Sequence, residues 1–481
     1  MLTYNLTATG SDSLYESLYK CIKNDILQGK LCAGEKLPSK RSFAKNLGIS
    51  VITVENAYGQ LSDEGYIYSM PKRGFYVSDI DMVANPNTGA KTSADANLFD
   101  DSASIACSPY FADFSSNQTD SEIFPFTIWT KTVRSVLNDN RIQLMINPPC
   151  GGILPLRNAI ASYLGDFRGM KVAPHQIIIG AGTEYLYGLL IQLLGKNLIY
   201  GVENPGYHKI GKICKSMGVT YRHVDLDESG VSIHELEEKK IDIIHTSPSH
   251  HFPTGLVMPV SRRYELLGWA AKEKERYIIE DDYDSEFRYR GKPIPALQGL
   301  DKNGKVIYIG TFSKSIAPGL RMSYMVLPDS LMDSYISVGK RYSNTVSRID
   351  QNIVNLFIKE GYYERHLNRM RGIYKAKHDV LLGELKKFGA EYRIAGESAG
   401  LHVLLSTDKM PEDELVLRAA QCGVRVYPLS EHFLGEDIEC DIRKLTGKRS
   451  TIILGYARLN EDEIVRGTKI LMEAFSNEKD M

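Results

Sequence analysis

The sequence predicts an α/β protein in which a small helical domain with a β-hairpin precedes a larger domain built on a mainly parallel sheet. Three observations lead to this fold class. Residues 1–78 contain three short segments with helical apolar spacing, followed by two short strands. In residues 79–112 the apolar periodicity stops, and in residues 113–481 short β-rich runs alternate with longer helical segments. The 481 residues, 43% of them hydrophobic and 24% charged, are enough for more than one soluble domain.

Three short helices are predicted in residues 1–78. The first lies within residues 12–29, and its apolar residues recur every four positions: Leu14, Leu18, Ile22 and Ile26. The second begins at Ser39 and stops at Gly48. Ser50 is a favourable N-cap for the third helix. The apolar face of that helix consists of Val54, Ala57, Tyr58 and Leu61.

A hairpin with a basic tip follows the third helix. The β-rich runs 66–68 and 75–77 flank a turn that contains Lys72 and Arg73. Three helices and a basic hairpin describe a winged helix-turn-helix, in which the third helix would enter the major groove and the wing would lie along the DNA backbone. Nine basic and seven acidic residues give residues 1–78 a net charge of +2, so tight DNA binding is expected to need two copies.

This segment resembles the DNA-binding domain of the GntR family. The resemblance rests on L-x-A-G-E-K-L-P-S-x-R-x-F-A at 31–44 and on S-x-x-T-V-x-x-A-Y-x-x-L-x-x-E-G-Y at 50–66. It implies that six residues contact DNA: Lys40, Arg41, Ser50, Thr53, Lys72 and Arg73. Val51 departs from the family, which usually has arginine there, and Glu55 stands where several members have a basic residue. A three-helix protein-interaction module is the alternative interpretation.

Residues 79–112 are predicted to be a flexible linker between two separately folded domains. Asn, Ser, Ala, Thr and Asp dominate this segment, which contains five acidic residues and one lysine. The resulting negative charge would keep the linker away from DNA.

The cysteines and the apolar runs indicate the cellular compartment. The seven cysteines form no C-x-x-C pair, which argues against a zinc site or a disulfide framework and favours a reducing cytoplasm. The first residues show no basic segment followed by an apolar core, and the most apolar stretch contains charged residues. Neither a signal peptide nor a membrane span is therefore expected.

Residues 113–481 are predicted to form a mainly parallel sheet with helices on both faces, followed by a smaller α/β part. Strands are expected at 176–179, 198–201, 242–245, 276–280, 306–309 and 323–327. After about residue 341, a long helical stretch leads to a last strand at 451–456 and a helix from Glu461.

Lys314 is the candidate catalytic residue. It follows the apolar strand 306–309, and a lysine shielded at a strand end can lose its proton and form a Schiff base. Thr311, Ser313 and Arg321 are the donors expected for a phosphate beside that amine. Together these residue types indicate pyridoxal 5′-phosphate (PLP). The alternative is an ordinary solvated loop lysine.

A phosphate contact and an acidic contact are predicted where other strands end. Gly182, Thr183 and Glu184 follow the first strand of the large domain and open a helix, whose free N–H groups and dipole would bind a phosphate. Asp281 ends the fourth strand and would keep a pyridine nitrogen protonated.

Glu280 and Asp282 are close alternatives to Asp281, because a strand end allows a slip of one residue. Three adjacent carboxylates could also be a solvated turn or a Mg²⁺ site.

The run T-F-S-K-S-I-A-P-G-L-R at 311–321 resembles the lysine motif of fold-type I PLP enzymes of the aminotransferase class I family. The resemblance implies that Lys314 holds PLP as an internal aldimine. It also implies that Tyr207 stacks on the pyridine ring and that Tyr283 donates a hydrogen bond to the ring oxygen. A packing role is the alternative for Tyr207.

The whole arrangement resembles the MocR/GabR subfamily of GntR regulators, in which a winged helix-turn-helix is fused to an aminotransferase-like domain. The likeness includes S-P-S-H-H-F-P-T-G at 247–255 and E-D-D-Y-D-S-E-F at 280–287. It implies a homodimer, whose two winged domains would read repeated half-sites on DNA.

Several positions depart from the patterns of these families. Class I aminotransferases bind the substrate carboxylate through an arginine just before the aromatic residue of the last core strand. This chain has Ile453-Leu454-Gly455-Tyr456 there, and Arg458 comes only afterwards. The partner-subunit tyrosine that usually contacts the phosphate is replaced by Ile146 or Asn147. The subfamily member that responds to γ-aminobutyrate has arginines where we find Lys209 and the region of His432.

The function implied is that of a transcriptional regulator that senses PLP, or an amine or amino acid reacting with the Lys314 aldimine. An active aminotransferase that carries a DNA-binding domain is the first alternative. A DNA-binding protein whose second domain has lost PLP and serves for dimerisation is the second. The sequence leaves open which effector and operator are recognised, and whether the protein activates or represses.

Overall fold

The computed structural model describes residue 4 and residues 13–79, 109–116, 118–139, 141–289, 294–339, 342–434 and 449–476. The chain divides into two compact units, residues 1–106 and 107–481. Most of the predicted linker, residues 80–108, lies outside the described residues. Its last residues are folded, since the Phe111 N–H donates to Gly423 (2.8 Å) and Ala112 is paired with Val424 in a two-stranded sheet. Phe111 and Ala112, the last two residues of the predicted linker, are thus attached to the second unit.

The first unit contains three helices and a hairpin, as predicted: α1 Leu14–Leu27, α2 Lys40–Leu47, α3 Val51–Asp63, β1 Ile67–Met70 and β2 Gly74–Val77. Side chains at the helix ends fix these boundaries. The Ser39 and Ser50 hydroxyls accept hydrogen bonds from the N–H groups of Ser42 and Thr53. Gly48 ends α2 at a φ of 67°, a conformation that glycine adopts without strain.

The core of the first unit joins all three helices to the hairpin. The predicted apolar faces of α1 and α3 are buried, and Phe43 of α2 and Val77 of β2 pack with them. Leu14 is the exception, with 42% of its surface exposed, because it lies at the first turn of α1. Strands β1 and β2 are antiparallel, and the unit is a winged helix-turn-helix.

The second unit contains two larger sheets and a short parallel strand pair. Its strands are β3 Ala112–Asp113, β4 Ile177–Gly180, β5 Tyr200–Asn204, β6 Tyr221–Asp227, β7 Gly230–Val231, β8 Ile243–Thr246, β9 Tyr277–Asp282, β10 Val306–Thr311, β11 Ser323–Val326, β12 Tyr392–Ala395, β13 His402–Thr407, β14 Val424–Arg425, β15 Tyr427–Pro428 and β16 Ser450–Gly455. Its helices are α4 Phe126–Asn138, α5 Arg141–Leu144, α6 Leu154–Arg168, α7 Thr183–Leu194, α8 His208–Ser216, α9 Ile233–Glu238, α10 Val260–Ala271, α11 Leu297–Leu300, α12 Met332–Gly339, α13 Arg348–Lys359, α14 Tyr362–Leu385, α15 Glu412–Gln421 and α16 Glu461–Ser476.

The large sheet has the order β4-β11-β10-β9-β8-β5-β6-β7. Strands β10, β9, β8, β5 and β6 are parallel, whereas β11 and β7 run antiparallel to their neighbours. The six strands predicted for this sheet are all present. Strand β6 was not predicted, because polar residues such as Arg222 and Asp225 interrupt its apolar pattern.

Alternate residues of the central strands pack on opposite faces of the large sheet. Ile279 and Ile307 pack on one face with residues of α7 and α8. Ile278 and Val306 pack on the other face with residues of α10. Helices therefore cover both faces, as predicted, and the carboxyl ends of the parallel strands meet at one edge.

The smaller part is built on the antiparallel sheet β12-β13-β16-β15. Its core contains residues of this sheet, of the pair β3 and β14, and of helices α14, α15 and α16. Residues on both sides of the small sheet are buried, for example Leu454 in the main core and Ile453 in a separate apolar cluster.

Candidate cofactor cavity and DNA-binding face

A cavity of about 360 Å³ lies at the carboxyl ends of the parallel strands. Its volume is in the range of small-molecule sites. Nine of the ten predicted cofactor-binding residues line it: Thr183, Glu184, Tyr207, Asp281, Tyr283, Thr311, Ser313, Lys314 and Arg321. The tenth, Gly182, is the N-cap of α7 and lies against Arg321. The structure thus brings together residues that are up to 139 positions apart in the sequence, from Gly182 to Arg321.

Lys314 lies three residues after the end of β10. Burial lowers the pKa of its ammonium group to about 8, against a smaller opposing effect of the Asp284 carboxylate. The close approach of Tyr324 to the strand requires glycine at position 310, because a Cβ there would lie 2.5 Å from the Tyr324 ring. The lysine is therefore held at the edge of a packed strand, where its amine is more easily neutralised than at the surface.

Arg321 and the first turn of α7 form a cradle for an anion. Gly182 has a φ of 91°, and a Cβ at this position would lie 2.6 Å from Nη2 of Arg321. The absence of a side chain at Gly182 thus admits the guanidinium group to the start of α7, where helix N–H groups have no intrahelical partner. Thr311 and Ser313, whose hydroxyls are 3.0 Å apart, line the same cavity.

The side chain of Glu184 has cationic partners of its own. Its carboxylate accepts a hydrogen bond from Lys209 Nζ (2.8 Å) and lies 3.7 Å from Nη2 of Arg321. The Lys209 ammonium group lowers the pKa of this carboxyl. A bound phosphate would meet a negative charge at the Glu184 side chain, so its contribution to phosphate binding would come from the backbone N–H.

The three carboxylates of β9 divide between the two faces of the sheet. Asp281 lines the cavity, and its Oδ2 lies 3.5 Å from Nε2 of His245. Glu280 points to the opposite face and accepts hydrogen bonds from the N–H groups of Leu297 and Gln298, both 2.8 Å. Asp281 is thus the carboxylate of the three that faces the cavity.

Asp282 shares the face of Glu280. Its carboxylate lies 2.9 Å from Nε of Arg168 and accepts a hydrogen bond from the Tyr308 hydroxyl. Because Asp281 lies on the opposite face from Glu280 and Asp282, the three carboxylates cannot converge on one cation. This arrangement argues against the magnesium alternative. Across the described ranges, no group of three or more His, Cys, Asp and Glu side chains is arranged to hold a metal ion.

Aromatic rings form another wall of the cavity. Tyr207, at the N-cap of α8, has its ring 6.5 Å from that of Phe252 in an edge-to-face arrangement. Phe252 also contacts the rings of Tyr283 and His432. Burial raises the pKa of the Tyr207 hydroxyl, so this side chain remains a neutral ring that can pack on a flat ligand.

Several cavity residues were not singled out as site residues from the sequence: Glu203, His245, Ser247, Phe252 and Pro318. Glu203 is buried at the end of β5, where it accepts hydrogen bonds from Thr246 Oγ1 and the Ser247 N–H. Burial raises the pKa of its carboxyl to about 7. Its position at a strand end, in V-E-N-P-G-Y, was the signal that could have identified it.

The run Ile453-Leu454-Gly455-Tyr456 lies where a carboxylate-binding arginine was expected from the aminotransferase resemblance. The Ile453 side chain of this run is fully buried in an apolar cluster with Leu404, Leu429 and Phe433. Arg458, which follows the strand, donates a hydrogen bond to Gln118 and does not line the cavity. Ile146, one of the two positions (with Asn147) where a phosphate-binding tyrosine of a partner subunit was expected, is 55% exposed.

The predicted DNA-binding residues lie on α2, α3 and the hairpin of the first unit. Arg41, Lys72 and Arg73 are exposed to solvent. Lys40 differs, since its Nζ lies 2.7 Å from Glu55 Oε1 on helix α3. The Lys40 charge is thus partly neutralised.

At the start of α3, the Ser50 hydroxyl caps the helix and lies 2.8 Å from Thr53 Oγ1. Ser50 therefore has a structural role, whatever its contact with DNA.

Two family models match the chain. "Bacterial regulatory proteins, gntR family" matches residues 14–77, and "Aminotransferase class I and II" matches residues 111–443. The chain is 37% identical over 482 residues to the uncharacterized HTH-type transcriptional regulator YdeL of Bacillus subtilis, covering 98% of this chain and 99% of that protein. It is 31% identical to the probable rhizopine catabolism regulatory protein MocR of Rhizobium meliloti, covering 96% and 94%.

Other matches extend this picture. The HTH-type pyridoxine biosynthesis transcriptional regulator PdxR of Corynebacterium glutamicum is 29% identical, with 94% of each chain covered. The fold of the multiple substrate aminotransferase of Thermococcus profundus is similar, with a TM-score of 0.67 and 24% identity over 80% of this chain and 95% of that one. Within the described residues, no helix has both the length and the apolar character needed to span a membrane.

Proposed function

The chain belongs to the HTH-type transcriptional regulators in which a GntR domain precedes an aminotransferase class I and II domain, and from this premise we propose that it regulates transcription in response to PLP or to an amine that reacts with lysine-bound PLP. The winged unit binds DNA. The second unit binds PLP and detects the effector. The observation that carries the proposal is the convergence of Lys314, Asp281 and Arg321 on one cavity.

The cavity residues fit PLP by their chemistry. Lys314 supplies an amine whose pKa is lowered to about 8, Asp281 supplies a carboxylate for the pyridine nitrogen, and Tyr207 supplies a ring to stack on the pyridine. Arg321 and the first turn of α7, which approach each other at Gly182, supply the contacts for the phosphate. When bound, PLP supplies an aldehyde that can attach to a primary amine and a ring that accepts electrons.

Sensing would follow from competition at Lys314. An effector amine would compete with the Lys314 amine for the aldehyde that bound PLP would supply, and its attachment there would free the lysine. The other proposed signal is the binding of PLP itself in the cavity. Either event changes DNA binding if the two states of the protein bind the ligand with different affinity. We expect a homodimer, in which two winged units bind repeated half-sites.

Turnover as an aminotransferase is the second candidate. It is supported by the cavity itself, since the residues that hold PLP in a sensor would hold it equally in an enzyme. The burial of Ile453 among Leu404, Leu429 and Phe433 argues against it, because an aminotransferase was expected to bind its substrate carboxylate through an arginine there. Steady conversion of an amino acid and a keto acid would favour the enzyme.

Absorption spectroscopy tests the proposal. The wild-type protein and Lys314→Ala are mixed with PLP and then titrated with amines and amino acids. We expect a visible band of lysine-bound cofactor in the wild type that is missing in Lys314→Ala, and a change of that band with the effector. Lys302→Ala, at a lysine outside the cavity, is the matched control. A wild type without this band after addition of PLP contradicts the proposal.

A further inference from the structure

His250 contacts Tyr283 from outside the set of residues that line the cofactor cavity. It lies in the loop after β8, and its side chain is 2% exposed. Nδ1 of its ring has two neighbours, Asp284 Oδ2 at 2.8 Å and the Tyr283 hydroxyl at 3.1 Å. The Tyr283 side chain lines the cavity. His250 therefore joins a buried carboxylate to a hydroxyl at the candidate site.

The hydrogen on Nδ1 follows from the chemistry of these neighbours. An ionised carboxylate accepts hydrogen bonds and cannot donate them, so the contact with Asp284 requires the hydrogen on Nδ1 of His250. A nitrogen that carries this hydrogen cannot also accept one from Tyr283. The hydroxyl oxygen of Tyr283 can therefore only accept a hydrogen bond from the same N–H group, which is shared with Asp284. The hydrogen of the Tyr283 hydroxyl must then point away from His250.

The opposite side of the imidazole ring agrees with this assignment. Among the described residues, Nε2 of His250 has no hydrogen-bond partner. A hydrogen on Nε2 would therefore be a buried donor without an acceptor, which is rare in proteins. The ring is also tightly enclosed, since a Cβ at Gly400 would lie 1.9 Å from Cε1 of His250.

We propose that His250, held by Asp284 with its hydrogen on Nδ1, is a positioning residue that directs the Tyr283 hydroxyl hydrogen into the cofactor cavity. The inference rests on the proposed function, because it assigns the Tyr283 hydroxyl to a cofactor bound there. An N–H that shares its hydrogen with the Tyr283 oxygen also makes that hydroxyl a stronger donor, as linked hydrogen bonds polarise one another. Tyr283 thus becomes a fixed donor for an oxygen of the cofactor.

Two substitutions at position 250 distinguish this role from simple packing. The amide N–H of asparagine can occupy the place of Nδ1–H, so His250→Asn should keep both contacts. The amide of glutamine reaches the place of Nε2, so His250→Gln should lose them. We expect His250→Gln to weaken PLP binding about tenfold, the effect of losing one hydrogen bond, and His250→Asn to bind within about threefold of the wild type.

A double-mutant cycle with Tyr283→Phe completes the test, with PLP dissociation constants taken from absorption titrations. If His250 acts through Tyr283, His250→Gln should cause no further loss in the Tyr283→Phe background. Equal losses in both backgrounds contradict the inference and leave the proposed function intact. A wild type that binds no PLP contradicts the proposed function and the inference together.

Nitrogen NMR of the cofactor-free protein gives a readout that does not depend on PLP. The inference predicts a His250 imidazole with its hydrogen on Nδ1, and Asp284→Asn should weaken that preference. A hydrogen found on Nε2 in the wild type overturns the inference, even in a protein that binds the cofactor.

Discussion

Two acidic residues of strand β9, Glu280 and Asp282, are enclosed by protein, whereas the basic residues Arg41, Lys72 and Arg73 of the winged unit project into solvent. Asp282 and its partner Arg168 have side chains that are 2% and 1% exposed, while Arg41, Lys72 and Arg73 are all exposed. A change near the cofactor cavity can therefore affect folding as well as binding. A change on the DNA-binding face should alter binding and leave the fold intact. The following predictions test this difference, from the largest expected effect to the smallest.

Breaking the Arg168–Asp282 ion pair should have the largest effect on stability. Asp282→Ala leaves the buried Arg168 charge without its carboxylate, which we expect to cost about 3–5 kcal/mol of unfolding free energy. Asp281→Ala is the matched control on the same strand, since Asp281 faces the cavity, and it should weaken PLP binding with little change in stability. Denaturant titrations measure both. Similar losses of stability in the two variants contradict the division of the strand into two faces.

The reaction of Lys314 with PLP should depend on pH in a characteristic way. With its pKa lowered to about 8, the Lys314 amine is half neutral near pH 8, and its neutral fraction levels off only above about pH 9. At pH 7 roughly one amine in ten is neutral, a fraction several hundred times that of an ordinary lysine. Stopped-flow measurements of band formation from pH 6 to 10 test this. A rate that still rises steeply above pH 9 contradicts the assignment.

Filling the space at Gly182 should displace Arg321. In Gly182→Ala the new Cβ would lie 2.6 Å from the guanidinium group, so we expect the loss of a charged hydrogen bond, or roughly 10–100-fold weaker PLP binding. Gly188→Ala, in the same helix with open space at its Cα, is the control and should bind normally. The double variant Gly182→Ala with Arg321→Ala should be no weaker than Arg321→Ala alone. If Gly182→Ala binds PLP as tightly as the wild type, Arg321 does not contribute to PLP binding.

On the DNA-binding face, Arg41→Ala should weaken operator binding by about 1–3 kcal/mol if Arg41 contacts a base, or less at a phosphate. Its thermal stability should match that of the wild type, because the side chain is exposed. Lys45→Ala, in the last turn of the same helix α2, is the control of equal charge. Fluorescence anisotropy with operator DNA measures both variants. If the two variants lose the same DNA affinity, Arg41 contributes only its positive charge and makes no specific contact.

The smallest expected effect concerns Glu55, which neutralises part of the Lys40 charge. Glu55→Gln should free Lys40 for a phosphate and strengthen DNA binding by less than about 1 kcal/mol. The dependence of binding on salt should also become steeper by about one counterion per winged unit. Lys40→Ala alone should therefore weaken binding less than Lys40→Ala made in the Glu55→Gln background. A salt dependence that Glu55→Gln leaves unchanged contradicts this account.

The sequence indicated most of the fold and most of the site, because both depend on local patterns. The apolar faces of α1 and α3 and the six predicted strands of the large sheet follow from spacing and from β-branched runs. Strand β6 was missed because its polar residues hide the pattern. The pairing of Ala112 with Val424 joins residues more than 300 positions apart, so no local pattern reveals it.

Residue roles within the site could be predicted less well, because they depend on direction and on distant partners. A sequence allows Glu280, Asp281 and Asp282 as alternatives, and the pleat of β9 decides which of them faces the cavity. The Lys209 partner of Glu184 and the Asp284 partner of His250 were not visible, since both contacts join separate elements. The histidine-bearing turn at 247–255 was noticed in the sequence, but no role for His250 followed from it.

The central claim is that occupancy of the Lys314 cavity controls DNA binding by the winged unit. The most direct test is the affinity of the full-length protein for its operator, measured at one salt concentration with and without PLP and the effector amine. We predict that these ligands change the affinity of the wild type and leave that of Lys314→Ala unchanged. An equal response of the two proteins, or no response of the wild type to any PLP or amine, would contradict the claim.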